Sequence, residues 1–190
     1  MPPKARITKE SILATAVEIV RKKGENALNA REIAACLGCS TQPLFSNYES
    51  MEALKKDVLK EAEKICGLYV QKETESGLYP PYKAGGMGYI RFAREEKALF
   101  RMLYMRTRPQ NNQAESSELN DRMILLAQQN TGMDEKNAGF FHLEIWAFVH
   151  GIAAMTATGY LELPDALISR MITDCFQGLK KQVAERGEDS

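Results

Sequence analysis

Apolar residues recur at steps of three and four along most of this chain, and no segment shows the period-two alternation of a strand. Between Thr8 and Lys23, Ile12, Ala16, Ile19 and Val20 fall on one helical face, with Leu13 and Val17 beside them. Leu54, Val58, Ala62, Ile65 and Tyr69 repeat the spacing. So do Phe141, Ile145, Phe148, Val149, Ile152 and Met155, and then Ile168, Met171, Ile172, Cys175, Phe176 and Leu179. The spacing predicts an all-α protein, with an N-terminal three-helix domain in residues 1–50 and a larger helical bundle in residues 51–190.

Local punctuation marks where these helices begin and end. Thr8 is an N-cap candidate, Arg21 to Lys23 suit a negative C-terminal dipole, and Gly24 suits a left-handed exit. Asn29, three residues before Glu32, opens a helix of about two turns that Gly38 closes. Ser40 is the expected N-cap of the next, with Pro43 in its first turn. Ser50 caps the helix that follows. "QKETESGLYPPYKAGGMG", residues 71–88, reads as a glycine- and proline-rich linker with a helix restarting near Tyr82. Two helical pieces are expected in 89–105, breaking near Glu95–Lys97, then a polar loop from Thr107 to Glu115 and a helix over 116–130. Residues 135–159 read as a long apolar helix, and Pro164 opens the last one.

Composition narrows the function classes. A net charge of zero and an ordinary apolar fraction of 44% suit a folded domain of 190 residues. "MPPKARITKE" lacks the apolar stretch of a signal peptide, and no apolar run is read as long enough to span a membrane, so a cytoplasmic protein is expected. Cys36 and Cys39 form a C-x-x-C, but Cys66 and Cys175 stand apart, leaving no zinc set; packing in a helical core is the expectation, with a redox role for the Cys36–Cys39 pair as the minor alternative. The two histidines, His142 and His150, lie eight apart rather than four, and neither a phosphate loop nor a nucleophile elbow occurs. No enzyme, cofactor or metal is expected.

Charge is unevenly placed. In residues 1–48, Lys4, Arg6, Lys9, Arg21, Lys22, Lys23 and Arg31 outnumber Glu10, Glu18, Glu25 and Glu32, and the first nine residues form a basic arm. Within "GCSTQPLFSNYESMEAL", Leu44 points inward toward the preceding short helix, leaving Thr41, Gln42, Ser46 and Asn47 facing out between Phe45 and Tyr48. Two short helices joined through a glycine turn form a helix-turn-helix, whose second helix presents polar groups to a DNA major groove.

"ITKESILATAVEIVRKKGENALNAREIAACLGCSTQPLFSNYESMEAL", residues 7–54, resembles the N-terminal domain of the tetracycline-repressor family of bacterial transcription regulators. The chain departs from the family's pattern at Phe45, Asn47 and Tyr48, where Tyr, His and Phe are usual, and at Met51, where a phosphate-contacting lysine is usual and whose charge Lys55, Lys56 or the arm would supply. The resemblance implies a palindromic operator read by Thr41, Gln42, Ser46 and Asn47. Ser40, Pro43, Phe45 and Tyr48 would lie against the DNA backbone, with Lys4, Arg6, Lys9, Arg31 and Lys55 adding electrostatic grip.

"WAFVHG", residues 146–151, resembles a W-x-x-x-H-G motif of several branches of the family. His150 reads as a satisfied core histidine, and Gly151 as a point of close helix approach. In the family the last two helices pair with those of a second subunit. A homodimer is therefore implied, with Gly151, Ala154, Ile168, Met171, Ile172, Cys175, Phe176 and Leu179 as interface candidates. An unknown small-molecule effector would bind among Phe100, Leu103, Tyr104, Phe141, Trp146, His150 and Met155. The competing reading is a helical protein-interaction module that keeps the fold without specific DNA binding.

Overall fold

The computed structural model describes residues 7–106 and 118–188, without the side chains of residues 118, 184 and 186–188. Its elements in order are α1 (Lys9–Lys23), a 3-10 turn (Glu25–Ala27), α2 (Ala30–Leu37), α3 (Gln42–Asn47), α4 (Met51–Glu75), α5 (Pro81–Glu95), α6 (Lys97–Tyr104), α7 (Glu118–Thr131), α8 (Glu135–Thr158) and α9 (Asp165–Glu188). No strand occurs among the described residues. The expected loop from Thr107 to Glu115 and the arm residues Lys4 and Arg6 lie outside them.

Two compact units divide the chain: residues 1–65 with 96–106, and 66–95 with 107–190. In the first, α1 packs on α2, α3 and α6. A reciprocal capping box starts α1, Ser11 N–H donating to Thr8 Oγ1 at 3.2 Å and Thr8 N–H to Ser11 Oγ at 3.0 Å. Ile12, Ala16, Val20, Ile33 and Leu44 are buried, as the helical spacing requires. The unit also takes in α6, from the part of the sequence assigned to the larger bundle. Its apolar face buries Leu99, Phe100, Met102 and Leu103. Where α5 gives way to α6, Glu96 receives a two-pronged bond from Arg21 on α1, at 2.9 and 2.8 Å.

In the second unit α5 touches α7, α8 and α9. Residues 71–88 are not a linker. α4 runs on to Glu75, only residues 76–80 intervene, and Gly85, Gly86 and Gly88 lie inside α5. Those glycines serve close approach: a Cβ at Gly86 would come 3.4 Å from Ile172 Cδ1 and 3.5 Å from Val149 Cγ2. An ionic cluster ties three helices, with Arg91 meeting Glu73 at 2.8 Å and Asp165 at 3.2 Å, and Arg94 meeting Asp165 at 2.6 Å. Glu73 is buried at 2% exposure, and its Oε1 has no hydrogen-bond partner.

α8 corrects the membrane reading of the sequence, since by length and composition it alone among the described residues is apolar enough to cross a bilayer. In this unit it is a core helix on one side, with Phe141, Ile145, Val149 and Ile152 buried. Asp134 caps it, and Gly159 ends it at φ 72°.

Candidate nucleic-acid interface

The helix-turn-helix is built from α2 and α3. Asn29 Oδ1 accepts from the N–H groups of Arg31 and Glu32 at 3.1 and 3.0 Å. Glu32 does not reach back to complete a capping box; Lys23 holds its carboxylate instead. α2 ends at Gly38, left-handed at φ 61° and ψ 35°. The Gly38 and Cys39 amides return to the carbonyls of Ala35 and Ala34, at 3.2 and 3.0 Å. α3 starts one residue later than expected: Thr41, not Ser40, holds the N-cap position and makes no side-chain cap, while Pro43 sits in the first turn.

α3 buries Leu44 and exposes Gln42, Phe45, Ser46 and Asn47. Phe45 is 50% exposed. Two of the polar groups fold back on their own helix, Ser46 Oγ donating to Gln42 O at 3.1 Å and Asn47 Nδ2 to Pro43 O at 2.8 Å. Ser40 and Arg31 are exposed, and Thr41 and Pro43 half-buried.

Tyr48 departs from its expected outward position. It is 4% exposed and belongs to the core of the unit. Its hydroxyl makes no hydrogen bond of normal geometry, and burial first, then the charge of Asp57, pushes its pKa up to about 12. Lys9 Nζ lies 4.8 Å from the centre of the Tyr48 ring and 3.1 Å from Asp57. Lys9 is the main cause holding the Asp57 carboxyl below the usual range. Lys55 is 3.9 Å from Glu25. Cys36 and Cys39 are not core residues either, being exposed and half-exposed free thiols at the turn.

In the second unit α8 sets two histidines against two tyrosines of α5. Tyr82 Oη lies 2.9 Å from His142 Nδ1, and Tyr89 Oη 2.9 Å from His150 Nδ1. The indole of Trp146 stacks on the His150 ring at 4.9 Å. Burial lowers the pKa of both histidines and raises that of Tyr82.

Residues 82–175 match the family model for a tetracyclin repressor-like C-terminal domain. The chain belongs to the tetracycline-repressor family. Solved structures share the fold along nearly the whole chain. A TetR-like transcriptional regulator from Rhodococcus sp. RHA1 has a TM-score of 0.64 at 18% identity, covering 97% of this chain and 98% of its own. A protein of unknown function from Rhodococcus sp. RHA1 gives 0.70 at 19%, covering 96% and 98%. The putative regulatory protein SCO4313 gives 0.67 at 15%, covering 89% and 94%. No curated protein matches in sequence. Membership in the tetracycline-repressor family makes the chain a transcriptional regulator in general terms.

The remaining site candidates of this family member are distributed as follows. Phe100, Leu103 and Tyr104 belong to the first unit, where Phe100 and Leu103 are core and the Tyr104 ring lies 5.1 Å from that of Phe100. Phe141, Trp146, His150 and Met155 belong to the second. Phe141 is buried edge-on against Phe176 at 5.2 Å. Of the interface candidates, Ile168 and Ile172 are filled within the subunit's own core. Gly151, Ala154, Met171, Cys175, Phe176 and Leu179 are half-exposed. A Cβ at Gly151 would meet nothing within 4 Å, so no helix of this subunit uses it for close approach. Instead α8 exposes Phe140 at 54%, Leu143 at 55% and Trp146 at 39%, an apolar stripe of which the sequence had suggested only Trp146, and that as a pocket residue.

Proposed function

We propose that this regulator is a homodimer that binds a palindromic DNA operator through α3 and represses until a small-molecule effector releases it. The observation that carries the reading is α3 itself: one apolar side chain, Leu44, anchors it, while Gln42, Ser46 and Asn47 stand exposed in succession. Arg31 and Ser40 flank it as exposed phosphate donors, and Lys4 and Arg6 add charge from the arm.

Dimerisation rests on α8. Phe140, Leu143 and Trp146 form an exposed apolar stripe beside the half-exposed Gly151 and Ala154, the kind of surface a second copy covers. The effector would bind in the second unit near Trp146, His150 and Met155, where an aromatic stack adjoins a polar dyad. Such a ligand releases DNA only by binding the two states with different affinity.

A second reading, a protein-interaction module, draws on Phe45, half-exposed on α3, and on the pairing of Lys9, Lys23 and Lys55 with carboxylates. Selection of binding sites from random DNA, repeated at several salt concentrations, decides between them. A palindrome with a steep salt slope supports the regulator. A folded dimer that enriches no sequence, with or without candidate effectors, supports the module.

A further inference from the structure

The one motif that the proposed function leaves idle is the C-x-x-C, and the structure puts it at the turn that aims α3. Cys36 is the last but one residue of α2 and exposed; Cys39 lies beyond Gly38, half-exposed and two residues ahead of Thr41 at the start of α3. We propose that Cys36 and Cys39 are an oxidisable dithiol, closed to an intramolecular disulfide by a hydroperoxide, and that closing it re-sets the turn between the two helices. The effect on DNA rests on the operator-binding reading above; the chemistry at the turn does not.

The geometry fixes what closure must do. A disulfide needs Cα atoms about 4.4–6.8 Å apart. Residues three apart in a continuing helix meet that, but the left-handed step at Gly38 swings Cys39 off the helical path. Closing the bridge therefore takes Gly38 out of φ 61° and breaks the Cys39-to-Ala34 cap bond of 3.0 Å. Space permits the change, since a Cβ built at Gly38 meets nothing within 4 Å. α2 has only eight residues, so its last turn is held by this cap and by packing rather than by its own cooperativity. The closed form extends α2 and moves Ser40 and Thr41, from which α3 departs.

The reaction balances without any cofactor. The Cys36 thiolate, the more exposed, attacks a hydroperoxide oxygen; the O–O bond breaks, leaving a sulfenic acid at Cys36 and releasing water or an alcohol. The Cys39 thiol sulfur then attacks the Cys36 sulfur, the S–O bond breaks, and the departing hydroxide takes the Cys39 proton as water. Two thiols give up two electrons and two protons, and the hydroperoxide is reduced. Lys23 pairs with Glu32, which precedes Cys36 by about one turn on α2.

The test uses the full chain. Purified protein is treated with hydrogen peroxide, or equilibrated across a glutathione–glutathione disulfide series, and the tryptic peptide spanning Glu32–Lys55 is weighed. It should lose two hydrogens within one chain, recover them with dithiothreitol, and stay unchanged in Cys36→Ser. Gly38→Ala supplies a readout independent of DNA. Alanine penalises the left-handed reduced form and not the closed one, so the dithiol–disulfide equilibrium should move toward the disulfide by about tenfold. On a selected operator, oxidation should weaken binding by about tenfold or more, the size of one lost base-edge contact, reversibly. A bridge that forms only between chains, no bridge at all, an unmoved equilibrium in Gly38→Ala, or an operator affinity unchanged by oxidation would each overturn the proposal. Should the reduced protein select no DNA, the operator reading fails, while the peptide mass and the Gly38→Ala equilibrium still decide the dithiol.

Discussion

Gly88 of α5 lies so close to Val70 of α4 that a Cβ on the glycine would sit 2.7 Å from the Val70 Cα and 2.8 Å from the Tyr69 carbonyl oxygen. Both obstacles are backbone and cannot turn aside. Gly88→Ala should therefore force the helices apart and cost about 3 kcal/mol, the upper part of the overpacking range. Gly85 makes the control. Its Cβ would meet only the flexible end of Met123, at 2.5 and 2.6 Å, and alanine gains about 1 kcal/mol of helix propensity. Denaturant unfolding of both variants should rank Gly88→Ala far below Gly85→Ala; equal costs would refute the close approach.

Arg91 and Glu73 should respond unequally to removal. Arg91→Met leaves the buried Glu73 carboxylate without its cation, at a cost on the order of 3 kcal/mol. Glu73→Met removes that charge and frees Arg91 to keep Asp165, so it should cost less. The double variant should then be more stable than Arg91→Met alone. A double variant at the sum of the single costs would mean that the pair is not coupled.

Tyr48 carries a buried hydroxyl with no partner of normal geometry. Tyr48→Phe removes a group already short of a hydrogen bond and should hold or raise stability, by up to about 1 kcal/mol. Tyr48→Ala empties the ring's place and should cost about 3–5 kcal/mol. A phenylalanine variant destabilised as far as the alanine one would show that the hydroxyl, not the ring, holds the position.

Acid should loosen the second unit before its carboxylates titrate. Burial keeps the His142 and His150 imidazoles below their ordinary 6.5 in the folded chain. As pH falls through that value, the unfolded chain takes up protons the folded chain declines, so stability drops; above it the contribution is constant. The hydroxyls of Tyr82 and Tyr89 face the two rings, and a protonated Nδ1 no longer accepts from either. The melting temperature should fall between about pH 7 and 5. The double variant Tyr82→Phe with His142→Leu should lose part of that slope, and a slope identical to the parent's would remove His142 as its source.

Gln42→Ala and Asn47→Ala should each relax preference at one operator position by about 1–3 kcal/mol while leaving the fold intact. The comparison to make is the base composition of selected sites, not affinity alone. Variants that return the parent's sites would dismiss these residues as readers.

Much of the fold was legible because glycine and caps agree with periodicity: Thr8, Asn29, Gly38, Ser50 and Gly159 end or begin helices where the spacing breaks. The same residue misled at Gly85, Gly86 and Gly88. Without a Cβ a glycine suits both a loop and a tight helix crossing, and only the partner helix tells them apart. The exposed polar residues of α3 were legible, because their exposure follows from Leu44 facing inward. Tyr48 was not, because an aromatic with a hydroxyl suits either side of a surface. Nor did spacing separate Ile168 and Ile172, packed inside the subunit, from the outward Phe140, Leu143 and Trp146. An apolar stripe states that something covers it and leaves open which molecule does.

Ser46 rests, in the free protein, with its hydroxyl proton on the Gln42 carbonyl, and Asn47 with one of its two amide N–H groups on the Pro43 carbonyl. If these groups read a base, turning either bonded donor toward it would exchange one bond for another, so for that donor the correct base would return little more than the turn gave up. A wrong base returns nothing, and the side chain stays folded or faces the groove unmatched. These two residues would thus act as a filter against mismatched sites rather than as a source of grip.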